Sequence, residues 1–353
     1  MTSLLPARIA PALAGLGLAL VLAACGPEKP LPVYTPPPAP PPPPPITLAP
    51  QLIQEASAWR GYMARANAIS AEFKDGAQIQ ESLRTAAAYE PKQFLRGAVA
   101  YAAVVALQDP TFVAELRKVA ADPAQRVALR DQLIANPNMA TVLPGAEGAA
   151  GLVLAALGEE ARKMVINGRA VKLAAYQVQT VSWSKAAVAD RDGRLNGAKT
   201  LSSSPMLGEA ADVALLSQAA MGPDAGAPLG IVGQAAPPPW SPVVVRGMAV
   251  AALAALGEGG EANLLALNSL ADEPNAAYCL SMAKLNLYQC LAVSKPHYED
   301  IFCLGQHILI DTGSCMVKAT GAEMPPAPPP VVIASTPPRK TAATAPAKKP
   351  IKR

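Results

Sequence analysis

Proline decides where this chain can fold. Of its 353 residues 38 are proline, and they crowd towards the two ends. Residues 30–50 are dominated by proline, with an unbroken run from Pro40 through Pro45. Proline has no amide N–H to give a helix or a sheet, and a prolyl run prefers an extended polyproline helix. The segment reads as a semi-rigid spacer with a reach of about 60 Å at ~3.1 Å per residue. After Glu323 the sequence returns to Pro, Ala, Thr and Lys. This tail, residues 324–353, is expected to be disordered. A packed core must come from residues 51–323.

That middle is built from small apolar residues. The hydrophobic fraction is 51% but aromatics are only 4%, so Ala, Leu and Val must supply the core. Leu52, Ala56, Trp59, Tyr62 and Met63 recur at three- and four-residue steps, an amphipathic helical stripe expected to run to about Gly76. Glu90-Pro91, Asp109-Pro110, Asp122-Pro123 and Asn136-Pro137 then punctuate the chain. An acidic or amide side chain before proline starts a helix, because it caps free amides and proline fits the first helical position. The spacing predicts an array of short helices of about three turns each. Residues 98–107, 149–157 and 249–256 are apolar almost all round but too short to span a membrane, which points to a buried place in the core. Arg96-Gly97-Ala98-Val99-Ala100 echoes Arg246-Gly247-Met248-Ala249-Val250-Ala251, a similarity that Ala-rich composition alone can produce. Residues 221–242, with Pro237-Pro238-Pro239 near the centre, are the best internal boundary. Strand-like alternation is scarce. The reading is an all-α protein with a helical domain at 51–220, a Gly/Pro linker at 221–242 and a second helical subdomain at 243–323.

The first 25 residues have the layout of a secretory leader. Arg8 precedes an apolar stretch from about Ile9 to Leu22, which is shorter than the ~20 residues of a comfortable membrane span. The stretch closes on Leu22-Ala23-Ala24-Cys25. This ending resembles the lipobox of bacterial lipoproteins. The resemblance implies removal of residues 1–24, acylation of Cys25, and anchoring in a lipid bilayer through several acyl chains. Each buried CH₂ of such a chain adds ~0.8 kcal/mol. Gly26 rather than Asp follows the cysteine, which in the family's sorting logic favours the outer membrane. Residues 25–50 would then be a lipidated tether.

Charge is asymmetric. The formal net charge of +4 comes from 30 basic and 26 acidic residues. Arg339, Lys340, Lys348, Lys349, Lys352 and Arg353 sit in a tail without acids, and setting these six aside leaves 24 against 26. The body is therefore not a nucleic-acid-type surface. The tail is a sparse basic arm suited to an anionic partner such as a cell-wall polymer, a phosphate-bearing headgroup or an acidic protein, by contacts that weaken with salt. Val331-Val332-Ile333 within it could dock on a partner.

Four cysteines remain, Cys279, Cys290, Cys303 and Cys315, with the only two histidines, His297 and His307, among them. In an exported chain an even count points to disulfides, with three possible pairings. Ser294-Lys295-Pro296 looks like a turn between helices near 275–293 and 298–310. Cys290 and Cys303 are equidistant from it, as are Cys279 and Cys315, which predicts nested bonds, Cys290–Cys303 and Cys279–Cys315, stapling a helical hairpin. Cys303 and Cys315 stand 12 apart, out of helical phase, so the second helix should break before Cys315, at Gly313. The pattern is similar to the coiled-coil-helix type of hairpin with paired cysteines. A metal site from Cys290, Cys303 and His307 is the sharper alternative, but the spacing lacks the usual paired ligands.

Catalytic patterns are partial. Asp311-Thr312-Gly313-Ser314 resembles the active-site loop of aspartic peptidases, in which Asp311 would activate water. A second loop is absent and the flanks read helical, so a helix-ending turn competes with it. Ser182 to Lys185 and Ser281 to Lys284 match Ser-x-x-Lys without the partner motifs of penicillin-binding enzymes. Glu159-Glu160 and the pair Asp190, Asp192 could be acid–base couples or solvated faces. No cofactor motif is present. The folded part, including Cys290-Leu291-Ala292-Val293 and His297-Tyr298-Glu299-Asp300-Ile301-Phe302-Cys303, looks like uncharacterised alanine-rich lipoproteins of Gram-negative bacteria. The expectation is a non-enzymatic envelope lipoprotein that binds an envelope protein or cell-wall polymer. The alternatives are an envelope peptidase or cell-wall hydrolase using Asp311 or a carboxylate pair, and a metal- or redox-responsive protein.

Overall fold

A computed structural model describes residues 42–327. The leader, Cys25, most of the prolyl spacer and the basic tail lie outside the described residues. Among the described residues there are fourteen α-helices and no β-strand, only two isolated bridges, Leu48 with Gly259 and Ala187 with Pro296. The helices are α1 (Pro50–Asn67), α2 (Gly76–Ala87), α3 (Pro91–Ala106), α4 (Pro110–Ala120), α5 (Pro123–Ala135), α6 (Ala146–Gln177) and α7 (Ser182–Lys185). Then come α8 (Arg191–Ser203), α9 (Ala210–Ala219), α10 (Pro242–Ala255), α11 (Leu264–Ala271), α12 (Pro274–Val293), α13 (His297–Cys303) and α14 (Asp311–Thr320). The fold is all-α, and no single described helix is long and apolar enough to cross a membrane.

The proline punctuation marks helix starts. Pro91, Pro110 and Pro123 open α3, α4 and α5, and the carboxylates of Glu90, Asp109 and Asp122 accept the first free amides. Asn136-Pro137 behaves differently and opens only a 3₁₀ turn, Pro137–Val142. Gly76 is a start, not a stop. The first helix ends at Asn67, and the Asp75 side chain caps α2 by accepting from the Gln78 amide at 2.9 Å.

The short apolar segment at 149–157 belongs to α6, which runs 32 residues, or about 48 Å, and forms the spine of the molecule. Gly158 and Gly168 do not end this helix because both are packing sites. A Cβ at Gly168 would stand 2.8 Å from Ile310, and one at Gly158 would stand 3.0 Å from Ala322. Elements before and after the expected 221–242 boundary share one core, so the segment does not divide the described residues into two bodies. It lies along the start of α6: the Ala236 amide donates to Glu147 O, and Gly233 rests on the Gly151 backbone.

The two echoing helices, α3 and α10, pack on each other through Gly247, where a Cβ would come 2.5 Å from Ala102 Cβ. Their arginines do different work. Arg96 pairs with the buried Glu55 at 3.3 Å, and Arg246 donates to the Leu270 carbonyl near the end of α11. Some of the few aromatic residues gather in the core. Trp59, Tyr62, Tyr89, Phe94 and Tyr101 form one cluster with ring centroids 5.0–6.2 Å apart. Around them the core is mostly Ala, Val and Leu.

Candidate functional site

The C-terminal hairpin is stapled by Cys290–Cys303 and Cys279–Cys315, each with a Cα–Cα distance of 5.7 Å. The bonds are nested around the 294–296 turn. The helix does not break at Gly313. Residues Leu304–Ile310 form a π-helical segment that joins α13 to α14 without interruption. Its i→i+5 hydrogen bonds take in an extra residue, so a spacing of 12 keeps the phase that about 11 residues have in an α-helix. Gly313 is buried inside α14 for another reason: a Cβ there would stand 2.9 Å from Val165 of α6.

These sulfurs leave no ligands for the metal reading. Cys290 and Cys303 are joined to each other, and His307 Nδ1 lies 3.0 Å from Asp311 Oδ2. Among the described residues no three His, Cys, Asp or Glu side chains gather in a way that could hold a metal. The Asp-Thr-Gly sequence is helical, neither a peptidase loop nor a helix-ending turn. Burial pushes the Asp311 carboxyl up, but hydrogen bonds from His307, Gln306 and Asn286 outweigh it and hold the group below its ordinary value. Thr312 is fully buried, its hydroxyl 2.8 Å from Tyr89 Oη. Asp311 thus ties the π segment to α12, and Thr312 ties α14 to the aromatic cluster.

The Ser-x-x-Lys patterns separate. Ser182 and Lys185 are both exposed. Lys284 is buried and turns away from Ser281 towards Ser202 of α8. Its Nζ donates to Ala87 O at 2.5 Å and to Ser202 Oγ at 3.0 Å, and it lies 3.5 Å from the centroid of the Tyr89 ring. Desolvation drives its pKa well below that of a free lysine, with only weak opposition from Glu90. The cluster has a structural cause. Helix α2 ends inside the protein, and its last carbonyls need donors. Tyr62 Oη donates to Ala86 O, while Ser202 and Lys284 serve Ala87 O.

The carboxylate pairs are also engaged. Lys163 bridges Glu159 and Glu160 at 3.7 and 3.1 Å beside a cleft of about 520 Å³ floored by Trp59 and Tyr101. Asp190 caps α8 through the Gly193 amide, and Asp192 is exposed in its first turn. A second buried charge gives no hint in the sequence. Asp300, completely inaccessible, pairs with Arg194 and accepts from Ser294 Oγ at 2.8 Å and Gln80 Nε2 at 3.1 Å.

Two arginines hold prolyl chain where it meets the body. Arg117 of α4 donates to the carbonyls of Pro43, at 3.2 Å, and Pro44. Arg169 of α6 donates to those of Pro325 and Pro326 at 3.0 and 2.6 Å. Beyond Arg169, between the end of α6 and the stapled hairpin, lies an open groove of about 450 Å³ lined by Tyr176, Val293, Tyr298, Phe302 and the Cys290–Cys303 bridge. The sequence reading missed this groove, since its walls come from three separate helices. Cys25 and the basic residues Arg339, Lys340, Lys348, Lys349, Lys352 and Arg353 lie outside the described residues. Comparison with protein-family models, curated proteins and solved structures finds no match.

Proposed function

We propose that this chain is a non-enzymatic module of a bacterial cell envelope, anchored to the outer membrane through acylated Cys25. The module presents a rigid helical body that binds an envelope protein or a cell-wall polymer. The pair of nested disulfides carries the reading. Such bonds persist in oxidising compartments outside the cytoplasm, which is where the Leu22-Ala23-Ala24-Cys25 ending would send the chain. The arginine clamp on Pro43 and Pro44 supports a tether that meets the body at a fixed point. The basic tail supplies a second, salt-sensitive contact to an anionic partner.

Mass spectrometry of the protein recovered from membranes tests the anchor. The expected N-terminal peptide begins at Cys25 and carries acyl chains, and Cys25→Ser abolishes membrane retention. An intact Met1 without a lipid adduct would end the proposal. Affinity capture in detergent then tests the partner. Specific envelope components should be recovered at low salt and lost as salt rises. Recovery of none would leave a bare anchor and overturn the interaction role.

A further inference from the structure

We infer that the aromatic groove beside Cys290–Cys303 is the seat of the chain's own prolyl segment Pro328-Pro329-Pro330-Val331-Val332-Ile333. The argument begins with the course of the chain up to Ala327. After α14 the backbone turns at Gly321 and runs back along α6. Ala322 meets Gly158, and Pro325 and Pro326 sit on Arg169. Gly158, Arg169 and Tyr176 are separated by 11 and 7 residues, near-integral numbers of turns, and so share one face of α6. The chain is thus laid along that face towards the C-terminal end of α6, where the groove opens.

Length agrees with direction. From Arg169 to Tyr176 is seven residues of helix, about 10 Å. Three prolines in a polyproline helix cover about 9 Å. The segment 328–330 therefore spans the distance from the clamp to the groove and brings Val331-Val332-Ile333 onto Phe302, Tyr298 and Val293. The chemistry also agrees. Aromatic-lined grooves are what polyproline helices dock into, because the helix is already ordered and its carbonyls face outward to accept hydrogen bonds. Tyr176 and Val293, 45% and 74% exposed, present apolar surface on the two sides of the groove. Gln179, also on the groove, offers an amide donor to a prolyl carbonyl. Arg169 already holds the chain in this way one step earlier.

A photoreactive benzoylphenylalanine at Val332 in the full-length protein tests the inference. On irradiation, cross-links should form within one molecule and map to the peptides carrying Tyr176, Val293 and Phe302. The double variant Tyr176→Ala, Val293→Glu changes two exposed side chains and should leave the unfolding temperature unaltered while lowering the yield of those cross-links about tenfold, the signature of ~1.4 kcal/mol of lost docking. Cross-links spread over the surface, cross-links between two copies, or a yield indifferent to the double variant would each overturn it. The readout is independent of the lipid anchor and of any envelope partner, so its failure is distinguishable from theirs.

Discussion

Lys284 is the only charged residue of the 20-residue helix α12, and it faces inward. Its burial has a consequence that can be measured. A free lysine keeps its proton up to a pH of ~10.4. Folded Lys284 releases it at a lower pH, because burial disfavours the charged amine. Between those two values the unfolded chain binds one more proton than the folded one. Stability therefore climbs with pH across that window and stops changing with this group below it. Urea unfolding at successive pH values approaching ~10 from below should show this rise, by up to ~1.4 kcal/mol per pH unit. In Lys284→Met the increment should vanish, and parallel curves for the two proteins would refute the assignment. Asp300 makes the opposite case, a buried carboxylate that is fully partnered. Asp300→Ala leaves Arg194 charged and buried without a carboxylate, with only the Leu291 carbonyl to accept from it, and denaturant titration should report a loss of about 3–5 kcal/mol. Neither group was legible in the sequence. Lys284 stood out only within a Ser-x-x-Lys pattern, and the serine it meets lies 82 positions away. The pattern gave residue types at a spacing, whereas the chemistry depends on which helix end is buried.

Helix starts were legible because their cause is local. A carboxylate followed by proline caps and begins a helix by itself, and α3, α4, α5 and α12 all open this way. Helix continuation was not legible, because it depends on what a glycine touches. Gly158, Gly168 and Gly313 all look like interruptions, yet each is where α6 meets a neighbour closely. The disulfide pairing could be read from the symmetry of four cysteines about one turn. The phase mismatch between Cys303 and Cys315 is visible in their spacing, but the chain resolves it by widening seven residues into a π segment rather than by breaking. A π segment of this kind amounts to one inserted residue. Deletion of Gln306 should consequently let 303–315 run as an uninterrupted α-helix with both disulfides formed. Non-reducing peptide mapping should find Cys290–Cys303 and Cys279–Cys315 unchanged. Some stability should be lost, since Gln306 bonds Asp311 and Lys172. Free thiols or altered pairing in the deletion variant would show that the π segment does more than restore phase.

Across the whole molecule, proline sets the limits and arginine fixes the joints. Composition marks the prolyl flanks but not where the core begins: Leu48 and Ala49, inside the expected spacer, are buried in the core because the backbone around them pairs with the end of α10 and the loop after it. The place where each flank meets the body was invisible too, since Arg117 and Arg169 look in the sequence like ordinary residues of polar helix faces. Both reach prolyl carbonyls, which accept hydrogen bonds that no proline amide can answer from within the flank. At the N-terminal joint the clamp is backed by short backbone bonds: Thr47 N to Ala254 O at 3.1 Å and Ala49 N to Gly259 O at 2.8 Å. Arg117 also donates to Ala255 O at 3.0 Å, so one guanidinium links the flank to the end of α10. The joint therefore ties residues 43–49 to the core helix α10 as well as to α4. Removing the clamp should loosen this joint without unfolding the body. In Arg117→Ala, the amides of Thr47 and Ala49 should exchange with solvent about tenfold faster, the equivalent of ~1.4 kcal/mol of local stability. Amides in the middle of α6 should exchange at their original rate. If both sets accelerate together, the clamp is part of the global fold and not a joint. If neither changes, the two backbone bonds hold the flank without it.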